Sequence, residues 1–204
     1  MTLREAYLRL AGLNNRLPFS HVLPLYRVMA PVFDGGAKWL MPEYDAAIAQ
    51  LLQKLDISRR DVLLDVACGT GKVLMGANGT QWRMGLDFSA DMLYQLRRKT
   101  VLPIIRCDAR RMALGSETFS VATSSFMLLH LNESERLTVF SEVWRVLQTG
   151  GRFGCLTADV RLGEAYATDA SWRRWLTQTG FESVEIMPIL QDYRVIIGRK
   201  PHEI

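Results

Sequence analysis

The stretch LLDVACGTGK (residues 63–72) decides how the rest of the chain is read. Within DVLLDVA (61–67), a continuous apolar run passes through Asp65, as in a strand buried on both faces, which points to a parallel sheet. The chain then turns through Cys68, Gly69, Thr70 and Gly71. Gly69 and Gly71 remove Cβ atoms where a ligand approaches the backbone, and both tolerate positive φ. The helix start that follows offers free N–H groups and a partial positive charge, suited to a carboxylate or phosphate. Two phosphate-binding readings fail on the residues. A loop of the G-x-x-x-x-G-K-[ST] type needs a hydroxyl after its lysine, and Lys72 is followed by Val73. A dinucleotide fingerprint needs a third glycine, and the residue in phase is Leu74.

Strands and helices alternate outward from this turn. Residues 2–17 carry Leu3, Tyr7, Leu10 and Leu13 at helical spacing, and Pro18, Pro24 and Pro31 then divide the chain into short pieces. Residues 42–57 read as a helix opened by Pro42, with Ile48, Leu51, Leu52 and Leu55 inward. Strands are expected over 82–87, 103–108, 119–126 and 150–158, and helices over 89–100, 133–147 and 171–180. A short helix, about 72–77, follows the glycine turn, and SVEIMPIL and YRVIIGRK form a hairpin around Gln191-Asp192. This alternation predicts a doubly wound, mostly parallel sheet in one structural domain.

Composition narrows the classes further. The 204 residues, 49% hydrophobic and 23% charged, suit a globular protein with a proper core. The three cysteines (Cys68, Cys107, Cys155) lie far apart, without disulfide or zinc spacing, so the expectation is a reducing cytoplasm and no metal. The net charge is +4, and residues 1–40 hold Arg4, Arg9, Arg16, Arg27 and Lys38 against Glu5 and Asp34. A basic, amphipathic front element suggests peripheral contact at the inner face of a membrane; the competing reading is a solvated face. No aromatic-interleaved basic cluster points to nucleic acid, and the expected assembly is a monomer or homodimer.

Ligands of doubly wound sheets bind at the carboxyl ends of the strands. Asp87 ends the second strand, 18 residues after Gly69, where an acid accepts both hydroxyls of a ribose. The third strand ends in Cys107-Asp108-Ala109, whose acid can accept from an adenine amine. The fourth ends in Ser124-Ser125-Phe126, two small hydroxyls and an aromatic wall. Acids at three strand tips leave little room for a pyrophosphate and suit a nucleoside carrying a cationic group, S-adenosylmethionine (SAM).

The sequence here resembles the class I SAM-dependent methyltransferases, from about Tyr26 to the C-terminus. LLDVACGTGK looks like their SAM loop, with Ala67 in place of the first glycine and Asp65 near the amino group. GLDFSADML resembles the second-strand block, which places Phe88 and Met92 near the adenine. CDARRMAL, FSVATSSFMLLHL and VWRVLQTGGRFGCL resemble the later blocks in order. Ser120 and Gln148-Thr149 depart from the family pattern, at positions not expected to touch the cofactor. YRVMAPVFD (26–34) resembles the segment that lies over SAM in the quinone-methylating and bacterial phospholipid N-methyltransferase branches, with Phe33 replacing a tyrosine.

The resemblance implies an α/β, Rossmann-like fold: a doubly wound, seven-stranded, mostly parallel sheet with a C-terminal antiparallel hairpin. Residues 1–41 would form an N-terminal helical cap and 42–204 the SAM-binding domain. The implied reaction is in-line methyl transfer to a small-molecule or lipid-like acceptor, in which the protein contributes alignment and a dry site. His130 is the candidate base, with His21 a weaker one, and a turn-capping role is the competing reading of His130. Cys68 has no neighbour that would make it a nucleophile. The alternatives are a SAM-binding regulatory or structural subunit without transferase activity, and a nicotinamide-dependent oxidoreductase. The second lacks both the third glycine and a Tyr-x-x-x-Lys pair.

Overall fold

The computed structural model describes residues 19–41, 43–158, 167–190 and 192–202, with the backbone alone for 19–22 and 40. The helix expected over 2–17 and the side chain of His21 lie outside the described residues. In chain order the elements begin with α1 (Phe19–Met29), a 3₁₀ turn (Ala30–Val32), α2 (Phe33–Leu40), α3 (Tyr44–Lys54) and β1 (Val62–Val66). Then come α4 (Lys72–Gly76), β2 (Trp82–Asp87), α5 (Ala90–Arg97), β3 (Ile104–Arg106) and β4 (Phe119–Ser125). After a second 3₁₀ turn (Met127–His130), the chain finishes with α6 (Glu133–Val146), β5 (Leu147–Ala158), α7 (Asp169–Gln178), β6 (Glu182–Ile189) and β7 (Tyr193–Arg199).

Seven strands form one sheet in the order β3-β2-β1-β4-β5-β7-β6. The first five run parallel, while β7 is antiparallel to both β5 and β6. The hairpin expected around residues 191–192 is present, with Ile189 paired to Tyr193. The apolar run of β1 has a direct cause. Leu63 packs on one face of the sheet with Leu51 of α3, Leu74 of α4 and Leu96 of α5. Its neighbour Leu64 packs on the other face with Phe140 of α6 and Trp172 of α7. Both leucines are fully buried, and each such side chain contributes about 1.5–3 kcal/mol.

Helix boundaries follow local chemistry. Ser89 caps α5 by accepting from the Met92 N–H at 3.3 Å. Asn132 and Glu135 form a reciprocal capping box at the start of α6. Thr168 caps α7, which starts two residues before the expected Ser171 because the cap stands there. Pro24 lies inside α1 instead of dividing it. β5 begins at Leu147, ahead of the Gly150-Gly151 turn, and its pairing with β4 shifts register between Phe119 and Val121.

At the amino ends of the strands, Ser120 meets the carboxylate of Asp61. Its carboxylate accepts from the Ser120 hydroxyl (2.8 Å), the Ser58 N–H (2.8 Å) and Arg152 Nη2 (2.9 Å). Burial alone would raise its pKa, but these donors hold it below the usual carboxylate value. This network pins the sheet at the end opposite the functional cavity.

Candidate functional site

A cavity of about 550 Å³ opens at the carboxyl ends of the parallel strands, where the strand order reverses between β1 and β4. Its volume lies in the range of small-molecule sites. The turns after β1, β2 and β3 make one half, through Asp65, Ala67–Thr70, Leu86–Ser89, Met92 and Cys107–Arg110. The other half is apolar, with Phe126, Met127, Leu129, Leu131 and Val139. Leu23, Leu25, Tyr26, Met29 and Phe33 of the N-terminal helices form a roof.

The turn after β1 takes an unusual path. Ala67, Gly69 and Gly71 all have positive φ, at 60°, 54° and 89°. For Ala67 this conformation costs about 1–2 kcal/mol. Hydrogen bonds hold the turn closed: Cys68 N–H to the Leu86 carbonyl (2.9 Å), Gly71 N–H to the Cys68 carbonyl (2.8 Å) and Gly69 N–H to Asp87 Oδ2 (2.8 Å). A Cβ on Gly85 would stand 2.5 Å from Cys68 Sγ, so that glycine gives the turn its seat against β2. A Cβ on Gly71 would stand 2.3 Å from Leu96 Cδ1, whereas one on Gly69 meets no atom within 4 Å. Gly69 therefore leaves bare backbone facing the cavity.

Three carboxylates line this half, in two electrostatic settings. The Arg110 guanidinium grips Asp108 with Nε to Oδ1 (3.0 Å) and Nη2 to Oδ2 (2.7 Å), and also binds Glu135 at 2.5 Å. This holds Asp108 below the usual carboxylate pKa. Asp65 and Asp87 have no cationic side chain as partner among the described residues. Asp65 accepts the Thr123 hydroxyl at 2.9 Å; burial, with the Asp87 charge adding to it, pushes its pKa up to about 8. Asp87 accepts the N–H groups of Gly69 and Ser89, each at 2.8 Å and each on a different oxygen. Burial still raises its pKa. Burial also pushes the Cys68 thiol up, so it is not a thiolate.

The apolar half carries neutral polar groups. Tyr26 Oη and His130 Nε2 are 2.7 Å apart. Burial pulls the His130 pKa down to about 4, so the ring is neutral at pH 7, and its Nδ1 has no partner among the described residues. Tyr44 Oη pairs with Ser125 Oγ at 2.8 Å, and burial raises the tyrosine pKa. The roof is also tied to the glycine turn. Asp34 of α2 accepts from the Thr70 hydroxyl (2.7 Å) and from Lys99, which in turn donates to the Thr70 carbonyl at 3.0 Å.

Of the residues singled out from the sequence, Tyr26, Asp65, Ala67, Cys68, Gly69, Thr70, Asp87, Phe88, Met92, Cys107, Asp108, Ala109, Ser125, Phe126 and His130 line this cavity. Gly71 and Ser124 do not. Gly71 packs on Leu96, and Ser124, one residue from Ser125, points away and is buried. Tyr44, Lys72 and Arg110 line the cavity without having been singled out. Tyr44 reads in sequence as one more apolar residue of a helix start. Arg110 carried a usable signal, standing two residues after a strand-tip acid.

The cavity fits the expected cofactor on two observations. Two buried carboxylates without cations suit a ligand bearing ammonium and sulfonium charges, and Gly69 presents backbone with no side chain in the way. A family model described as a methyltransferase domain matches residues 63–151. The chain is 34% identical over 113 residues to a demethylmenaquinone methyltransferase of Bacillus licheniformis, covering 52% of this chain and 48% of that protein. It is 33% identical over 149 residues to the demethylmenaquinone methyltransferase of Chlamydia trachomatis serovar L2, covering 70% and 61% respectively. It therefore spans about half the length of the first of these relatives. Phosphoethanolamine N-methyltransferase 2 of Haemonchus contortus, solved with phosphomonomethylethanolamine and S-adenosylhomocysteine, shares the fold. Its TM-score is 0.64 at 15% identity, covering 76% of this chain and 52% of that one. Sheet order, strand-tip acids and glycine turn agree with these relatives: residues 63–151 match a methyltransferase domain, and the chain is similar to the class I SAM-dependent methyltransferases.

Proposed function

We propose that this protein transfers a methyl group from SAM to a small, largely apolar acceptor. The observation that carries this reading is the division of one cavity into a half with two buried carboxylates that have no cationic side chain as partner among the described residues, and a half of apolar walls. SAM supplies the methyl group on a sulfonium, ready for in-line displacement. Asp65 would hold the ammonium, Asp87 the ribose hydroxyls through the lone pairs its backbone donors leave free, and Asp108 the adenine amine, with Phe88 and Met92 beside the ring. The roof residues Met29 and Phe33 would exclude water from the reacting atoms. On the acceptor side, the neutral His130 lines the cavity with Nε2 paired to the Tyr26 hydroxyl, and this pair would receive a proton from the acceptor.

The apolar walls and the named activity of the quinone-methylating relatives favour a phenol- or quinol-like acceptor over a charged amine. A walled acceptor space also favours catalysis over the alternative of a non-catalytic SAM-binding subunit.

Two experiments test the reading. Calorimetry should show SAM binding that is lost in Asp87→Ala. A SAM-consumption screen across quinols, phospholipids, phenols and amines should find turnover to S-adenosylhomocysteine, reduced about 10²-fold or more in His130→Ala with SAM affinity unchanged. Absence of SAM binding by the wild-type chain would refute the proposal.

A further inference from the structure

The helices that roof the cavity have a second, outward face. Leu25, Val28, Val32 and Trp39 expose 42%, 76%, 66% and 68% of their surface. Pro24 and Pro31 are exposed among them, together with the cationic Arg27 and Lys38. The one acid of residues 19–40, Asp34, is engaged by Thr70 and Lys99. Single exposed apolar residues need no explanation, but four large ones within fifteen residues form a patch. Leu25 is exposed beside these residues and also lines the cavity, so an apolar side chain stands at once outside and at the site.

We infer that this face docks on an anionic lipid bilayer and that an apolar acceptor enters the cavity from the bilayer past Leu25. The inference rests on the proposed reading that one half of the cavity receives such an acceptor. An indole and branched side chains framed by cations match the interface of an anionic membrane, where aromatics sit at headgroup depth and Lys or Arg meets lipid phosphate. A symmetric pairing of two copies through this patch would bring Arg27 and Lys38 of both together with no free carboxylate of the patch to meet them. Charge therefore selects the bilayer. No helix among the described residues is long and apolar enough to cross a membrane, which leaves surface docking as the mode of contact for this segment.

The test is flotation of the full chain with vesicles of phosphatidylcholine alone and of phosphatidylcholine mixed with phosphatidylglycerol. The chain should float with the mixed vesicles, less so with neutral ones, and less as salt rises. The double variant Val28→Asp/Val32→Asp should partition about tenfold or more weakly while binding SAM by calorimetry as the wild type does. Equal flotation of variant and wild type, or no flotation on anionic vesicles, overturns the inference. So does a dimer in sedimentation that the double variant dissociates, since a second copy would then cover the patch. Loss of SAM binding with flotation intact would sink the functional reading and leave the docking surface standing.

Discussion

Replacing Asp65 by Asn should remove the loss of stability that this one carboxyl imposes as pH rises. Asp65 is fully enclosed, and its carboxyl titrates near 8, pushed up by burial despite the Thr123 hydroxyl and raised further by Asp87. In the unfolded chain the same group titrates near 4. Between these values the folded state holds one proton more than the unfolded state, so stability falls as pH rises, by about 1.4 kcal/mol per pH unit. The contribution is fully present below about pH 4 and gone once the pH passes about 8, a loss of roughly 3–5 kcal/mol after relaxation and water entry. Asn keeps the shape, still accepts from Thr123 and does not ionise. Below about pH 4 the two proteins should be nearly alike. At pH 8.5 the variant should be the more stable, and a gain of about 3 kcal/mol would raise Tm by roughly 6–12 °C. Binding a cation reverses the sign of the benefit. SAM should release about one proton on binding to wild type at pH 7, read by calorimetry in buffers of different ionisation enthalpy. The variant should release none and bind about tenfold or more weakly. Parallel stability curves from pH 5 to 8.5, with no proton release by wild type, would refute the reasoning.

Two glycines of the same turn should behave oppositely. Gly71→Ala drives a methyl group into Leu96 at positive φ and should cost about 2–3 kcal/mol in urea denaturation. Gly69→Ala meets no atom, so it should cost only about 1 kcal/mol, yet weaken SAM binding about tenfold because its methyl enters the cavity floor. Arg110→Ala frees Asp108 from its bidentate partner; SAM affinity should fall about three- to tenfold by calorimetry, and the Asp108 pKa should climb back toward the ordinary carboxylate value, read by carboxyl NMR.

The sheet and the glycine turn were legible in the sequence because both are local. An apolar run, a turn and an acid follow one another in the chain, and their order is the order of the strands they form. The pair Ser124-Ser125 marks where this stops. Strand alternation sends neighbours to opposite faces, and composition alone does not say which serine faces the ligand. Tyr44 and Asp34 were hidden for another reason. Each acts through a partner far along the chain, Ser125 and Thr70 respectively, and a single hydrogen bond between distant segments leaves no periodic trace. Arg110 was readable in principle. Its spacing from Asp108 allows an arginine to fold back on the acid, which gives this strand-tip carboxylate a cationic partner.

The seat that Gly85 provides for Cys68 bears on entropy. With its thiol wedged against β2 and its amides bonded to Leu86 and Asp87, the turn has lost its conformational freedom during folding, before any ligand arrives. A ligand entering such a rigid receptor need not order it, so the free energy of its contacts appears as affinity. The roof is different in kind: side-chain bonds from Tyr26 and Asp34 fasten it to the turns below. One side of the site is thus a backbone template and the other a cover held by side-chain bonds, so residence time should follow the strength of those bonds and selectivity for the nucleoside the template.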